Sequence, residues 1–112
     1  MTPPPLLTLE ERQRALELAK AARKQRAKLK DDVRAGRISL AQSIQMSRTD
    51  VALSKLKVSD LLESLPGVGK VKALRIMEKC GIANSRRLKG LGVKQIFALM
   101  KEFDRKWSVQ VD

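Results

Sequence analysis

The stretch LPGVGKVKALRIMEKC, residues 65–80, breaks a hydrophobic pattern with Pro66, Gly67 and Gly69 and then restarts at once as a basic segment. Two glycines this close permit backbone angles that a side chain forbids, and they let another molecule approach the main chain. Helix-forming residues follow directly, so the spacing predicts a tight hairpin that opens a helix over 70–80. The start of a helix offers unpaired N–H groups and the positive end of its dipole, which together favour an anion.

The pattern has an echo. LKGLG at 88–92 shares the form Leu-x-Gly-apolar-Gly with LPGVG at 65–69, and Met77 and Met100 stand at the same offset in the helices expected to follow. A lone Gly-x-Gly carries little weight, but a helix, a Leu-Pro-Gly-Val-Gly turn and a basic helix, followed by a weaker copy, are specific. The apolar residue between each glycine pair, Val68 or Leu91, is expected to tuck inward and pin its turn. That leaves the amides of residues 67–70 open to a phosphate oxygen, with Lys70 and Lys72 adding charge beside Gly67 and Gly69. Ser85, Arg86, Arg87, Lys89, Gly90, Gly92 and Lys94 surround the second turn. Between Leu65 and Gln95 there are eight cations against one acid, Glu78. Such groups hold a backbone and carry no direct base information.

Outward from this motif the chain reads as helix throughout. Ser59 is expected to cap a short helix carrying Leu61, Leu62 and Leu65, which Pro66 and Gly67 end. Val71, Leu74, Ile76 and Met77 are expected to face the core, and Gly81 suits the left-handed residue after a helix. Asn84 or Ser85 is expected to cap a third short helix. Another follows over 93–103, with Ile96, Phe97, Leu99, Met100 and Phe103 on its apolar face. Upstream, Ser39 caps a segment with Leu40, Ile44 and Met46 inward, and Thr49 or Asp50 opens the next.

Thr8 and Glu11 form a capping-box pattern. Residues 9–35 contain no Pro or Gly and are rich in strong helix formers, so one long helix is predicted, stopped at Gly36. Its apolar face is thin: Leu9, Leu16, Ala19, Ala22, Leu29 and Val33. KAARKQRAKLK, residues 20–30, holds six cations, which makes Arg23, Arg26 and Lys30 candidates for further nucleic-acid contacts. A solvated charged face is the plainer alternative. Large apolar residues do not recur at heptad spacing, which argues against a coiled coil. No segment alternates like a strand. The fold class is therefore all-α, divided into a proline-rich lead-in and long basic helix (1–37), a helical core (38–104) and a tail (105–112).

Composition narrows the partners. Among 112 residues, 24 Lys and Arg oppose 12 Asp and Glu, a formal charge of +12. That balance points to a polyanion, with nucleic acid the first candidate. One cysteine, Cys80, and no histidine cannot supply a structural zinc site, so no metal and no cofactor are expected. The low aromatic content disfavours stacking on single strands, and Phe97 and Phe103 are expected in the core. No run approaches a membrane span, and the N-terminus lacks the pattern of a signal peptide, so a cytoplasmic location is expected.

Residues 55–103, KLKVSDLLESLPGVGKVKALRIMEKCGIANSRRLKGLGVKQIFALMKEF, closely resemble the actinobacterial integration host factors, and the basic helix before them is similar to theirs. The resemblance implies a helix–two-turn–helix core in a small, mostly monomeric, nucleoid-associated binder of double-stranded DNA with little sequence preference. It implies DNA bending or compaction and a part in phage integration, on DNA beside an integrase. By carry-over, Gly67 to Lys70 and Ser85 to Gly90 would hold the DNA. The tail DRKWSVQVD, residues 104–112, has no match in that pattern, and Trp107 is unexplained by it.

Three rivals are weaker. The LPGVG turn also resembles that of base-excision DNA glycosylases, but their catalytic Asp is missing, since no Asp lies between Asp60 and Asp104. The place of their lysine nucleophile is Val71, so no catalytic residue is assigned. A ribosomal small-subunit protein shares the helix–two-turn–helix core, which leaves an RNA-binding alternative, although its long basic C-terminal tail is not matched here. A purely protein-binding helical module leaves the charge of +12 unexplained.

Overall fold

The computed structural model describes residues 8–107, with side chains through Phe103. The proline-rich lead-in, residues 108–112 of the tail and the Trp107 side chain lie outside that description. Six α-helices are described: α1 (Leu9–Arg34), α2 (Leu40–Ser47), α3 (Val51–Ser54), α4 (Val58–Ser64), α5 (Lys70–Lys79) and α6 (Val93–Trp107), with a 3-10 turn at Leu88–Gly90. Among the described residues there is no strand, only an isolated antiparallel bridge between Lys57 and Arg87.

The helix limits follow local chemistry. Thr8 Oγ1 accepts the Glu11 N–H at 3.1 Å and starts α1. At its end Gly36 takes φ +79. The N–H groups of Gly36 and Arg37 then donate to Val33 and Asp32, a Schellman closure. The end of α5 repeats the device with Gly81 at φ +70, where Gly81 and Ile82 donate to Glu78 and Met77. Ser39 and Gln42 form a reciprocal capping box on α2. Asp50 caps α3 by accepting from Ala52 and Leu53.

The core gathers Leu29 and Val33 of α1, Ile44 of α2, Leu61 and Leu62 of α4, Ile76 and Met77 of α5, and Leu99 of α6, all buried. Burial of α1 begins only at Ala22; residues 8–21 are exposed. Leu9, 82% exposed, and Leu16 therefore do not belong to a buried face. A 26-residue helix is about 39 Å long, more than the core can cover, and the molecule measures 68 × 28 × 25 Å.

Other sequence expectations are corrected by helical register. Successive residues turn by about 100°, so Ala73, Ile76, Met77 and the half-buried Cys80 share the inner face of α5, while Val71 is 66% exposed. Likewise Ile96, Leu99, Met100 and Phe103 share one face of α6, and Phe97 points to solvent at 69% exposure. In α2 the buried residues beside Leu40 and Ile44 are Ser43 and Ser47, not Met46. The two serines bury easily because each hydroxyl donates to a preceding carbonyl, that of Ser39 or Ile44.

Ser59 does not cap α4. The N-cap is Lys57, without a side-chain cap bond, because the chain enters α4 from the bridge. Val58 N–H donates to Arg86 O at 3.0 Å, and Leu88 N–H to Leu56 O at 2.9 Å. The same pairing replaces the third short helix expected after Asn84 or Ser85: backbone groups satisfied across the bridge are not available to a helix. Finally, α6 continues to Trp107, beyond the expected end near 103.

Candidate nucleic-acid interface

The first hairpin joins α4 to α5. Gly67 stands at φ +77, a conformation that disfavours any residue with a Cβ. Val68 is buried and donates its N–H to Leu65 O at 3.1 Å, so it anchors the turn as expected, but its amide, expected to be open to a phosphate, is engaged within the turn. Gly69 is the N-cap of α5, with no side-chain cap bond. The first amides of an α-helix have no intrahelical partner. Those of Lys70, Val71 and Lys72 therefore stand at a cleft of about 730 Å³, lined by Gly67, Gly69, Lys70, Lys72, Arg75 and Lys79.

Arg75 and Lys79 belong to the eight cations counted between Leu65 and Gln95 but are not among the expected contact residues, although their spacing from Lys72 places all three along one side of α5. Among the described residues one acid enters the same cleft. Glu102 of α6 is only 8% exposed, lines the wall and pairs with Lys79 Nζ at 3.3 Å. Sequence gave no signal for it, since 23 residues separate the partners. Beside this pair the Cys80 thiol is held above its ordinary pKa, first by burial, then by the Glu102 carboxylate, with Lys79 opposing.

The second hairpin is not a copy of the first. Ser85, Arg86, Arg87, Lys89 and Gly90 line a cleft of about 390 Å³ with Ala83. No residue there has a positive φ, and the turn is the short 3-10 segment. Leu91 is buried, as expected. Both arginines also bind their own chain. Arg86 Nη1 donates to Gly90 O at 3.1 Å and Arg87 Nη1 to Lys55 O at 2.6 Å.

Gly92 opens α6, but Gln95 Oε1 already accepts its N–H at 3.1 Å, while Gln95 Nε2 donates to Gly81 O at 2.9 Å. Gln95 thus ties the second hairpin to the end of α5. Its position three residues after Gly92 is the available sequence signal, the N3 place of a capping box. Lys94 is exposed in the first turn of α6 and lines neither cleft.

The first cleft runs along α5 from Lys70 to Lys79, ten residues or about 15 Å, and the second is built from residues 83–90, which follow that helix. On α1, Arg23 is exposed and Lys30 half-buried. Arg26 is half-buried and donates Nη1 to Ala52 O at 3.1 Å, so part of its donor set is spent inside the protein. Among the described residues no cluster of His, Cys, Asp or Glu is placed to hold a metal ion, and no helix is long and apolar enough to cross a membrane.

Comparison with known proteins fits this geometry. Residues 33–103 match the family model of the S13-like H2TH domain. The chain is 50% identical over 99 residues to an integration host factor of Streptomyces coelicolor, covering 88% of this chain and 92% of that protein. It is 52% identical over 101 residues to an integration host factor of Mycolicibacterium smegmatis, covering 90% and 96%. A namesake from Mycobacterium tuberculosis is 52% identical over 99 residues, covering 88% and 94%. A solved structure of sIHF bound to an 8-base-pair palindromic DNA superposes with a TM-score of 0.76 at 49% identity, covering 78% of this chain and 98% of that one. The chain belongs to the actinobacterial integration host factor family, built on an S13-like H2TH domain.

Proposed function

We propose that this protein is a non-catalytic architectural protein that binds double-stranded DNA with little sequence preference. It works in the cytoplasm on the nucleoid, is a monomer in solution, bends or compacts DNA and assists phage integration beside an integrase. The observation that carries this reading is a pair of cation-lined clefts, one running along α5 and one in the turn segment that follows it, in a chain half identical to a protein solved on DNA. In this reading the first cleft receives a phosphate through the open amides at Gly69 and Lys70, with Lys72, Arg75 and Lys79 beside it. The second receives one through Arg86, Arg87 and Lys89. Lys94 and the exposed Arg23 add long-range attraction. Val68 and Gly92 serve the shape of the turns and not the contact itself.

Each phosphate neutralised releases counterions, so affinity falls steeply with salt. The test is fluorescence anisotropy with two unrelated short duplexes and an RNA hairpin, each titrated at several salt concentrations. Equal, salt-dependent binding of both duplexes, tighter than RNA, is expected. If RNA binds more tightly at every salt, the clefts belong to a ribosome-type RNA binder. If one duplex is strongly preferred, the backbone account fails.

A further inference from the structure

The two hairpins share a sequence form but present different surfaces. At Gly69 an added Cβ would meet nothing within 4 Å, so a ligand can come close to the main chain. At Gly90 that space is taken: the Cβ would stand 2.9 Å from Arg86 Cδ and 3.2 Å from Arg86 Nη1. Gly90 is not among the glycines of positive φ, so its backbone conformation is open to other residues. Its polar groups are engaged as well. The N–H donates to Arg87 O at 2.9 Å, and the carbonyl accepts Arg86 Nη1 at 3.1 Å. Neither strain nor an exposed amide accounts for glycine here.

We propose that Gly90 is a positioning residue: its missing side chain lets Arg86 lie across the Leu88–Gly90 turn and holds the guanidinium at the second cleft. The inference rests on the reading of Arg86 as a phosphate contact. A guanidinium has five N–H donors in a rigid fork, and the bond to Gly90 O engages one nitrogen, leaving the rest of the fork for an anion. A free surface arginine gives up much rotamer freedom on binding, and a tethered one gives up less. Because Arg86 is exposed, a Cβ at position 90 would push aside a flexible side chain and leave the core in place.

The experiment compares wild type, Gly90→Ala, Arg86→Ala and the double variant on one short duplex across a salt series, with thermal melting alongside. Arg86→Ala removes a charge, so its slope of log affinity against log salt becomes shallower by about 0.9. Gly90→Ala keeps the charge but loses the tether. It should bind about fivefold more weakly at every salt with the slope unchanged, a loss within the rotamer freedom of one arginine. The double variant should match Arg86→Ala, because no side chain is left for the new Cβ to displace.

Wild-type binding by Gly90→Ala, while Arg86→Ala is weakened, overturns the inference and leaves the proposed function standing. A further loss in the double variant relative to Arg86→Ala means that Gly90 acts through its own backbone, and overturns it too. If Arg86→Ala binds like wild type, the assignment of Arg86 fails, and the inference with it. If Gly90→Ala melts early, the double variant decides: recovery of the Arg86→Ala melting point upholds the contact, and no recovery refutes it.

Discussion

Replacing Gly67 and Gly69 separately by alanine should divide the folding role of the first hairpin from its binding role. Gly67 sits at φ +77, where a Cβ costs about 1–2 kcal/mol. Alanine also restricts the unfolded chain, which returns about 0.4–1 kcal/mol, so Gly67→Ala should destabilise by about 1 kcal/mol. For a domain of this size that lowers Tm by about 4 °C. Gly69 differs, since its φ is −88 and a Cβ there meets no atom within 4 Å. The unfolded-state gain of about 0.4–1 kcal/mol is offset by the poorer N-cap behaviour of alanine, and stability should stay within about 0.5 kcal/mol of wild type. The new methyl group would stand in the mouth of the cleft, however, between a phosphate and the amides of α5. Loss of one charge-assisted hydrogen bond, about 1.5–3 kcal/mol, corresponds to at least about a tenfold weaker duplex affinity. Thermal melts followed by circular dichroism and duplex anisotropy measure the two effects. Full DNA affinity in Gly69→Ala would refute the backbone-amide account of this hairpin, and wild-type stability in Gly67→Ala would refute the conformational one.

Three further outcomes follow from the packing and the charges. Leu99 is fully buried, so Leu99→Ala should lose about 2–5 kcal/mol in urea unfolding, whereas Phe97→Ala, on the solvent face, should stay within about 0.5 kcal/mol; equal losses would mean that the register of α6 is wrong. Glu102→Gln removes the one acid that lines the first cleft among the described residues and frees Lys79, so duplex affinity should rise about two- to fivefold and the salt slope should steepen by about 0.9; weaker binding would show that Glu102 orients Lys79 productively. The Cys80 thiol has its pKa raised in the fold from an ordinary 9.0, so the stability it contributes is fully present below pH 9 and is lost as pH rises through the folded value. Alkylation should be correspondingly slow near neutrality, and a thiol that reacts at pH 7.5 as fast as free cysteine would contradict its placement.

Most helices were legible because their signals are local. Thr8, Ser39 and Asp50 cap where their side chains predict, and Gly36 and Gly81 turn the chain where a left-handed residue is required. The candidate site was legible in part for the same reason, since Gly67, Val68 and Gly69 act within a few bonds of one another. The errors share the opposite cause. Ser59 lost its cap role, and the segment after Asn84 lost its helix, to one pairing between residues 56–58 and 86–88, which nothing in either segment announces. Phe97 was misplaced because hydrophobicity alone does not say which of two adjacent apolar residues turns inward.

The all-α class, the single long basic helix, the glycine hairpins and the attraction to polyanions were determined by the chain itself, through caps, turn residues and a charge of +12, all of which act over a few residues or over none in particular. Tertiary structure alone decided that the hairpins are unequal. It left Gly69 open while Arg86 closes over Gly90, spent Arg26 on Ala52 O and set Glu102 into a basic cleft. Each of these depends on the distance between groups remote in sequence or on the packing of a folded turn, and such distances exist only once the core has brought the helices together.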